Sequence, residues 1–513
     1  MRINSRDRPS LHPLKPLRTY LLLAAVAVAL SACRKEDRFT DEPGIQLVFS
    51  RDTVLFDTIF TTVGSVTKRF TARNPHANAV RVQIALLGGA PSPFRINVDG
   101  ASGTSFSDVE ILGGDSIYVF VEAELGPGGA NTPFVIEDHI VFNTNGTEQR
   151  VLLAAWGQDA HFHRPGPDSL QIPGFPRFGI VAGGKDENGQ IICETVTWTS
   201  DKPHVIYGYA VVDSCSTLII EPGTRVHVHG GGGLWVYRWG KVHALGTLEQ
   251  PITFQSDRLE PLYAELPGQW DRIWINEGPL GNDNLFEHVL IKNALVGIQC
   301  ETFPLFPLEP TSAAKLVLNN VHIRNCSAAG ILSRNYAIES NNLLVGDCGQ
   351  HSIALTGGGN YYFNHTTVAN YWDYELRQTP AFIMTNTTVD INGTLQVRPI
   401  VNSVFENGII HGANGNEFKI EVDSDAPTDY RFRYFLLRTD QNTNDPDHFG
   451  PELFRNQDPG FVSSSDRNFR LTQGSFARNK GTSSTIEAIT DIEGKLRNCD
   501  GSGFDLGAYE WCP

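Results

Sequence analysis

The stretch Thr217–Thr247, TLIIEPGTRVHVHGGGGLWVYRWGKVHALGT, decides the fold. Apolar pairs Leu218/Ile220, Val226/Val228, Leu234/Val236 and Val242/Ala244 recur in it every eight residues. A spacing of two within each pair puts both side chains on the same side of a strand. Three such strands make a turn of about 24 residues, the period of a solenoid. Downstream, NVHIRNCSAAGIL from Asn320 is followed by NLLVGDCGQHSIAL from Asn342, an interval of 22. The pattern predicts a right-handed parallel β-helix that buries one inward row per face. Aligning VLIKNA, VHIRNC, LLVGDC and TTVANY brings Asn293, Asn325, Asp347 and Asn370 to one position. That position is expected at a bend between faces, as a ladder of side chains hydrogen-bonded from coil to coil. Cys326 and Cys348 follow it, about 4.8 Å apart by strand spacing, which permits a disulfide without requiring one.

Composition agrees with an all-β chain. Glycine is abundant (49), Met nearly absent (2), and charged residues make up 19 % of 513. From Ile45 to about Trp156 the runs DTVLFDTIF, VTKRFTARN, VRVQIALL, SIYVFVEAEL, EDHIVFNTN and QRVLLAAW alternate between turn residues. Several short strands in such a length are the pattern of an Ig-like β-sandwich. A net charge of −16 excludes nucleic acid as a partner.

The N-terminus reads as an export signal. Scattered cations precede LLLAAVAVAL, a run too short to span a bilayer, which ends in LSAC at Leu30–Cys33. LSAC resembles the bacterial lipobox, which implies acylation of Cys33 and a lipid anchor. Lys35-Glu36-Asp37 is similar to the acidic export tag of Bacteroidota surface lipoproteins, implying the outer membrane and its outer face. The segment KRFTARNPHANAVRV resembles Ig-like domains of the sperm-protein/Hydin type. GQWDRIWI after ITFQSDR, with Asp458-Pro459, Phe469-Arg470-Leu471 and DLGAYE at Asp505–Glu510, resembles Bacteroidota β-helix lipoproteins of pectate-lyase-like fold. The usual Ser-Pro-Ala-Ile-Asp-x-Gly of that tail is here SFARNKG, so this segment is expected only to close the end of the helix. The resemblance implies a fold, since most members have no assigned activity. The expected organisation is signal peptide 1–32, tether 33–44, Ig-like sandwich 45–160, connecting segment 161–204, and β-helix with closing tail 205–513.

Seven cysteines follow Cys33. Cys193 with Cys215, and Cys499 with Cys512, are close enough in sequence to staple loops, leaving Cys300, Cys326 and Cys348. No Cys-x-x-Cys supports a thiolate metal site. Candidates for chemistry are few. Alternation in YWDYELRQ would turn Glu375 and Arg377 outward around an inward Leu376, with Asp373 in the preceding turn. These groups could hold a uronate or move a proton, but a surface ion pair is the simpler reading. His227 and His229 share an outward face at a spacing that ligates metal, yet His243 falls elsewhere and no third ligand is evident; no metal is assigned. Trp235, Tyr237 and Trp239 alternate outward and could stack on sugar rings, or pack beneath a loop. The function expected is a non-catalytic, lipid-anchored scaffold that binds glycan or a surface protein. The alternative is a polysaccharide lyase or hydrolase, with Ca²⁺ a cofactor only for a lyase.

Overall fold

A computed structural model describes residues 38–61, 63–126, 134–166, 177–307, 309–484, 486 and 488–513. Cys33 and the export signal lie outside these residues. The chain divides into two units, one ending at Gly157 and the other spanning Gln158–Pro513. Among the described residues the structure is all-β, with a single short 3-10 turn at Pro261–Tyr263.

The first unit is a β-sandwich of two five-stranded sheets around one core. Alternation explains each strand. In Val80–Leu86 the side chains of Val80, Val82, Ile84 and Leu86 are buried, while Arg81 and Gln83 are exposed. Four strands that the expected set lacks, Val48–Phe49, Phe94–Val98, Ala101–Gly103 and Ser105–Ile111, complete the sheets.

The second unit is a parallel β-helix formed by one 22-stranded sheet in which strands pair with the third strand along the chain. Each coil therefore has three faces. The apolar pairs of the Thr217–Thr247 stretch all point inward and are fully buried. Register carries each row from coil to coil. On one face Val226 stacks on Phe254, then Ile291, Ile323, Val345, Val368 and Ile410. On another, Phe363, Phe405 and Phe432 stack, with the last two rings 4.2 Å apart and 2° from parallel. Each such side chain stabilises the fold by roughly 1.5–3 kcal/mol on burial. The interior is a continuous column.

The helix begins earlier than expected. Within the supposed connecting segment 161–204, strands His161–His163, Phe178–Ala182 and Thr195–Trp198 pair in parallel with the strands of the next coil. They are a first coil whose strands are too widely spaced to show the eight-residue rhythm.

The tail also departs from expectation. It lies along the flank of the helix: Leu471, Ala477 and Leu506 pack on Ile409 and Leu436, and Phe469 and Ala508 on Leu344 and Ala369. The cause is visible in the runs LLV, GII and FLL. Consecutive apolar residues on a strand point to both faces, so Leu344, Ile409 and Leu436 face outward and need cover. At the centre of the tail Arg497 donates to Asn342 Oδ1 at 2.6 Å and faces Glu510 at 3.4 Å. Burial outweighs their attraction, holding Arg497 down at about 10 and pushing Glu510 up to about 7.

The structure pairs Cys193 with Cys215 and Cys499 with Cys512. Cys300, Cys326 and Cys348 are free and buried; Cys326 and Cys348 sit side by side in register without a bond between them.

Candidate functional site

The loop after Asn370 is not a strand, so its alternation misleads. Leu376 is 84 % exposed and Arg377 is buried, the reverse of the expected order. The Arg377 guanidinium forms a two-pronged ion pair with buried Glu417, at 2.5 and 2.8 Å, and also donates to the Asn370 carbonyl. Glu375 stays at the surface, and Asp373 reaches Arg467 at 3.1 Å. The three candidates do not converge on one site.

The aromatic strip is likewise split. Trp235 is buried, stacked 4.6 Å from Trp274, with its indole N–H donating to Asn276. Tyr237 meets it edge-on, and only Trp239 is open, on a left-handed turn with φ 65°. His227 is buried with Nδ1 3.0 Å from the Ser256 carbonyl, whereas His229 pairs with Asp257 at 2.7 Å. Among the described residues no group of three or more His, Cys, Asp or Glu side chains is placed to hold a metal ion.

The residues expected to form the ladder occupy one bend, and Asn293, Asn325 and Asp347 there are left-handed (φ 68°, 54° and 51°). Their side chains do not bond to one another. Asn293 donates to the Leu266 carbonyl, Asn325 to Glu265, and Asp347 accepts from Arg467. Asn370 alone reaches the previous coil, through the backbone of Cys348. Amide-to-amide bonds stand instead at a different bend, in two runs: Asn342 donates to Asn320, and Asn407 donates to Asn364, which donates to Asn341, at 2.8–3.0 Å.

Where the covered flank ends, a concavity of about 340 Å³ opens, lined by His411, Gly415, Arg438, Asn456 and Asp458. Register builds it. Gly346, Ala369 and His411 stand in one outward column, small in the two coils that seat Phe469. His411 then begins the open part, with Tyr371 and Arg438 beside it. Tyr371 Oη lies 2.8 Å from His411 Nδ1, and Arg438 Nη1 lies 3.4 Å from Nε2 while donating to the Gly412 carbonyl. Burial and then the Arg438 charge hold the imidazole down at about 4. Burial and then the Asp458 charge push the Tyr371 phenol up to about 12. At neutral pH this is an uncharged Tyr–His pair beside a fixed cation. Nearby Asp347 is pushed up to about 6 by burial, against the pull of Arg467. None of Tyr371, His411 and Arg438 stood out in the sequence. The available signal was one polar side chain, His411, directly after the doublet Ile409-Ile410.

A second cavity, about 490 Å³, lies at the first coil among His161, His163, His204 and Trp198. His163 Nε2 and His204 Nδ1 are 2.9 Å apart, and the His163 ring stacks 4.3 Å from Trp198. These rings satisfy one another.

No family model matches the chain, and no curated protein matches it. Among solved structures it is similar to a family 123 glycoside hydrolase from Clostridium perfringens, at 6 % identity and TM-score 0.18 over 23 % of this chain and 30 % of that one. It is similar also to the catalytic unit of a thermostable GH87 α-1,3-glucanase from Streptomyces thermodiastaticus strain HF3-3, at 11 % identity and TM-score 0.20 over 76 % and 90 %. At these scores neither likeness bears on activity.

Proposed function

We propose that this chain is a cell-surface lipoprotein of the Bacteroidota β-helix type, anchored to the outer membrane through Cys33. Its Ig-like domain carries a β-helix that binds an acidic glycan without cleaving it. The observation behind this reading is the Tyr371–His411–Arg438 column. A guanidinium held by a backbone carbonyl beside an aromatic ring suits a sugar bearing a carboxylate. The magnitudes argue against turnover. A base that removes a proton near neutral pH works best with a pKa near 7. His411 at about 4 is too weak a base, and Tyr371 at about 12 too seldom ionised.

The second reading, a polysaccharide lyase, draws on the same adjacency. Arg438 would neutralise a uronate carboxylate while His411 or Tyr371 took the neighbouring proton. The two readings separate when the full-length protein is incubated with acidic and neutral polysaccharides, with and without Ca²⁺, and polymer size is followed by chromatography. The expected outcome is unchanged size, retention of an acidic polymer, and less polymer retained by R438A. Shortening of any polymer that disappears in H411A would overturn the binding reading.

A further inference from the structure

The β-sandwich carries an aromatic pair on its outer surface that its core does not use. Tyr118 and Phe120 are alternate residues of strand Ser116–Ala123, on the face opposite buried Ile117, Val119 and Val121. Their rings lie 6.2 Å apart and 30° from parallel, and Tyr118 is 48 % exposed. Tyr118 is exposed and Phe120 partly so, and a single exposed ring would need no explanation. A stacked pair at the centre of a sheet is a different matter.

The surroundings are polar and convergent. Register sets Phe120 opposite Arg69 on one neighbouring strand and Asn97 on the other, and sets Glu122 opposite Arg95. Arg95, Asn97 and Glu122 line a concavity of about 500 Å³ with Phe120, Thr67 and Ser102, and Arg69 and Tyr118 stand beside it. Its polar groups are fixed. Asn97 donates to Ser102 at 3.0 Å while its oxygen accepts from the Gly100 N–H, and Thr67 donates to Glu122 at 2.6 Å. Arg95 Nη1 is braced on the Ser92 and Phe94 carbonyls, and the Arg69 guanidinium stands 5.5 Å from the Tyr118 ring centre. In a chain of net charge −16, two arginines, Arg69 and Arg95, flank the pair, with the carboxylates of Glu122 and Asp99 beside them.

We propose that this face is a second carbohydrate-binding site, independent of the groove on the β-helix, and that its ligand is an anionic glycan. The apolar face of a sugar ring stacks on Phe120 and Tyr118. Asn97, Ser102 and Glu122 meet its hydroxyls, and Arg69 with Arg95 holds a carboxylate or sulfate. A neutral sugar would give the Arg69 guanidinium no charge to meet. A protein ligand would bury a wider apolar area than this pair offers.

The test uses the full-length protein carrying R438A, so that the groove is disabled and the sandwich site is read alone. Calorimetric titration compares galacturonate oligosaccharides, chondroitin sulfate oligosaccharides and neutral galacto-oligosaccharides. The expected result is binding of one or both anionic probes, at least about tenfold weaker with the neutral probe. F120A should weaken binding by about tenfold and R69Q should erase the preference for charge. Y118F, which keeps the ring, should bind as the parent does. The galacturonate and sulfate arms separate the two sources of negative charge. Absence of binding by every probe, equal binding by F120A, or a preference for the neutral probe would each overturn the proposal. Retention lost in R438A but unaffected by F120A would leave the groove reading standing and remove this one.

Discussion

Two bends of the β-helix use the same residue type in the same backbone conformation for different work. At one, Asn325 and Asp347 have φ of 54° and 51°; at the other, Asn320 and Asn342 have φ of 55° and 54°. Asn and Asp tolerate this left-handed region because their short polar side chains bond locally, and that explains why both repeat. Their partners differ. Asn320 and Asn342 bond to each other, and Asn342 also reaches Thr490 and Arg497 in the tail. Asn325 is tied to Glu265 of an exposed loop, and Asp347 to half-exposed Arg467. Repetition in sequence therefore reports a backbone angle. It does not report what the side chain holds.

The comparison is broken most severely at Arg497. This guanidinium joins Asn342 to the tail from a fully buried position, and Glu510 is its counter-charge. Removing one member of a buried pair typically costs 3–5 kcal/mol. Glu510, already raised to about 7, would take up a proton and soften the loss. R497M is expected to cost about 3 kcal/mol, lowering the melting transition of the helix by several degrees. Residues 457–513 should become sensitive to limited proteolysis. An unchanged melting transition would mean that the tail is held by its apolar contacts alone.

Glycine substitutions sharpen the contrast, because glycine keeps the positive φ and removes only the side chain. N342G loses three hydrogen bonds and leaves a buried Arg497 donor unmet, an expected cost of about 3 kcal/mol. N325G loses its bonds to a half-exposed Glu265, about 1 kcal/mol. Equal losses in chemical denaturation would erase the distinction between the bends.

A further effect is a pH slope. Asp347 binds its proton more tightly folded, at about 6, than unfolded, near 3.9. Stability from this group is therefore greatest below pH 4 and falls as pH rises through 6. The amount is at most about 3 kcal/mol, the Arg467 attraction being already contained in the folded value. D347N should flatten the stability profile between pH 4 and 6, measured by denaturant titration at each pH. A profile as steep as that of the unchanged protein would assign the slope to other groups.

Much of the fold was legible. Pairs such as Leu218/Ile220 marked inward rows because two-residue spacing is a local property of strands. What depends on partners distant in sequence was not legible. Arg377 reads as surface by alternation, and only Glu417, forty residues away, draws it inside. Trp235 reads as exposed until Trp274 and its neighbours close over it. The Tyr371–His411–Arg438 column needs three coils in register before it exists at all.

The flank beneath the tail sets an order of assembly. Coils of a solenoid can stack one after another as a chain leaves the ribosome, each resting on the one before. Leu344, Ile409 and Leu436 break that sequence, since their outer cover comes from residues 461–508. The middle of this helix must wait, half-clad, until more than seventy further residues have been made after Leu436. Progressive growth therefore finishes in one late, concerted step, and a chain cut short before the tail would expose an apolar edge suited to aggregation.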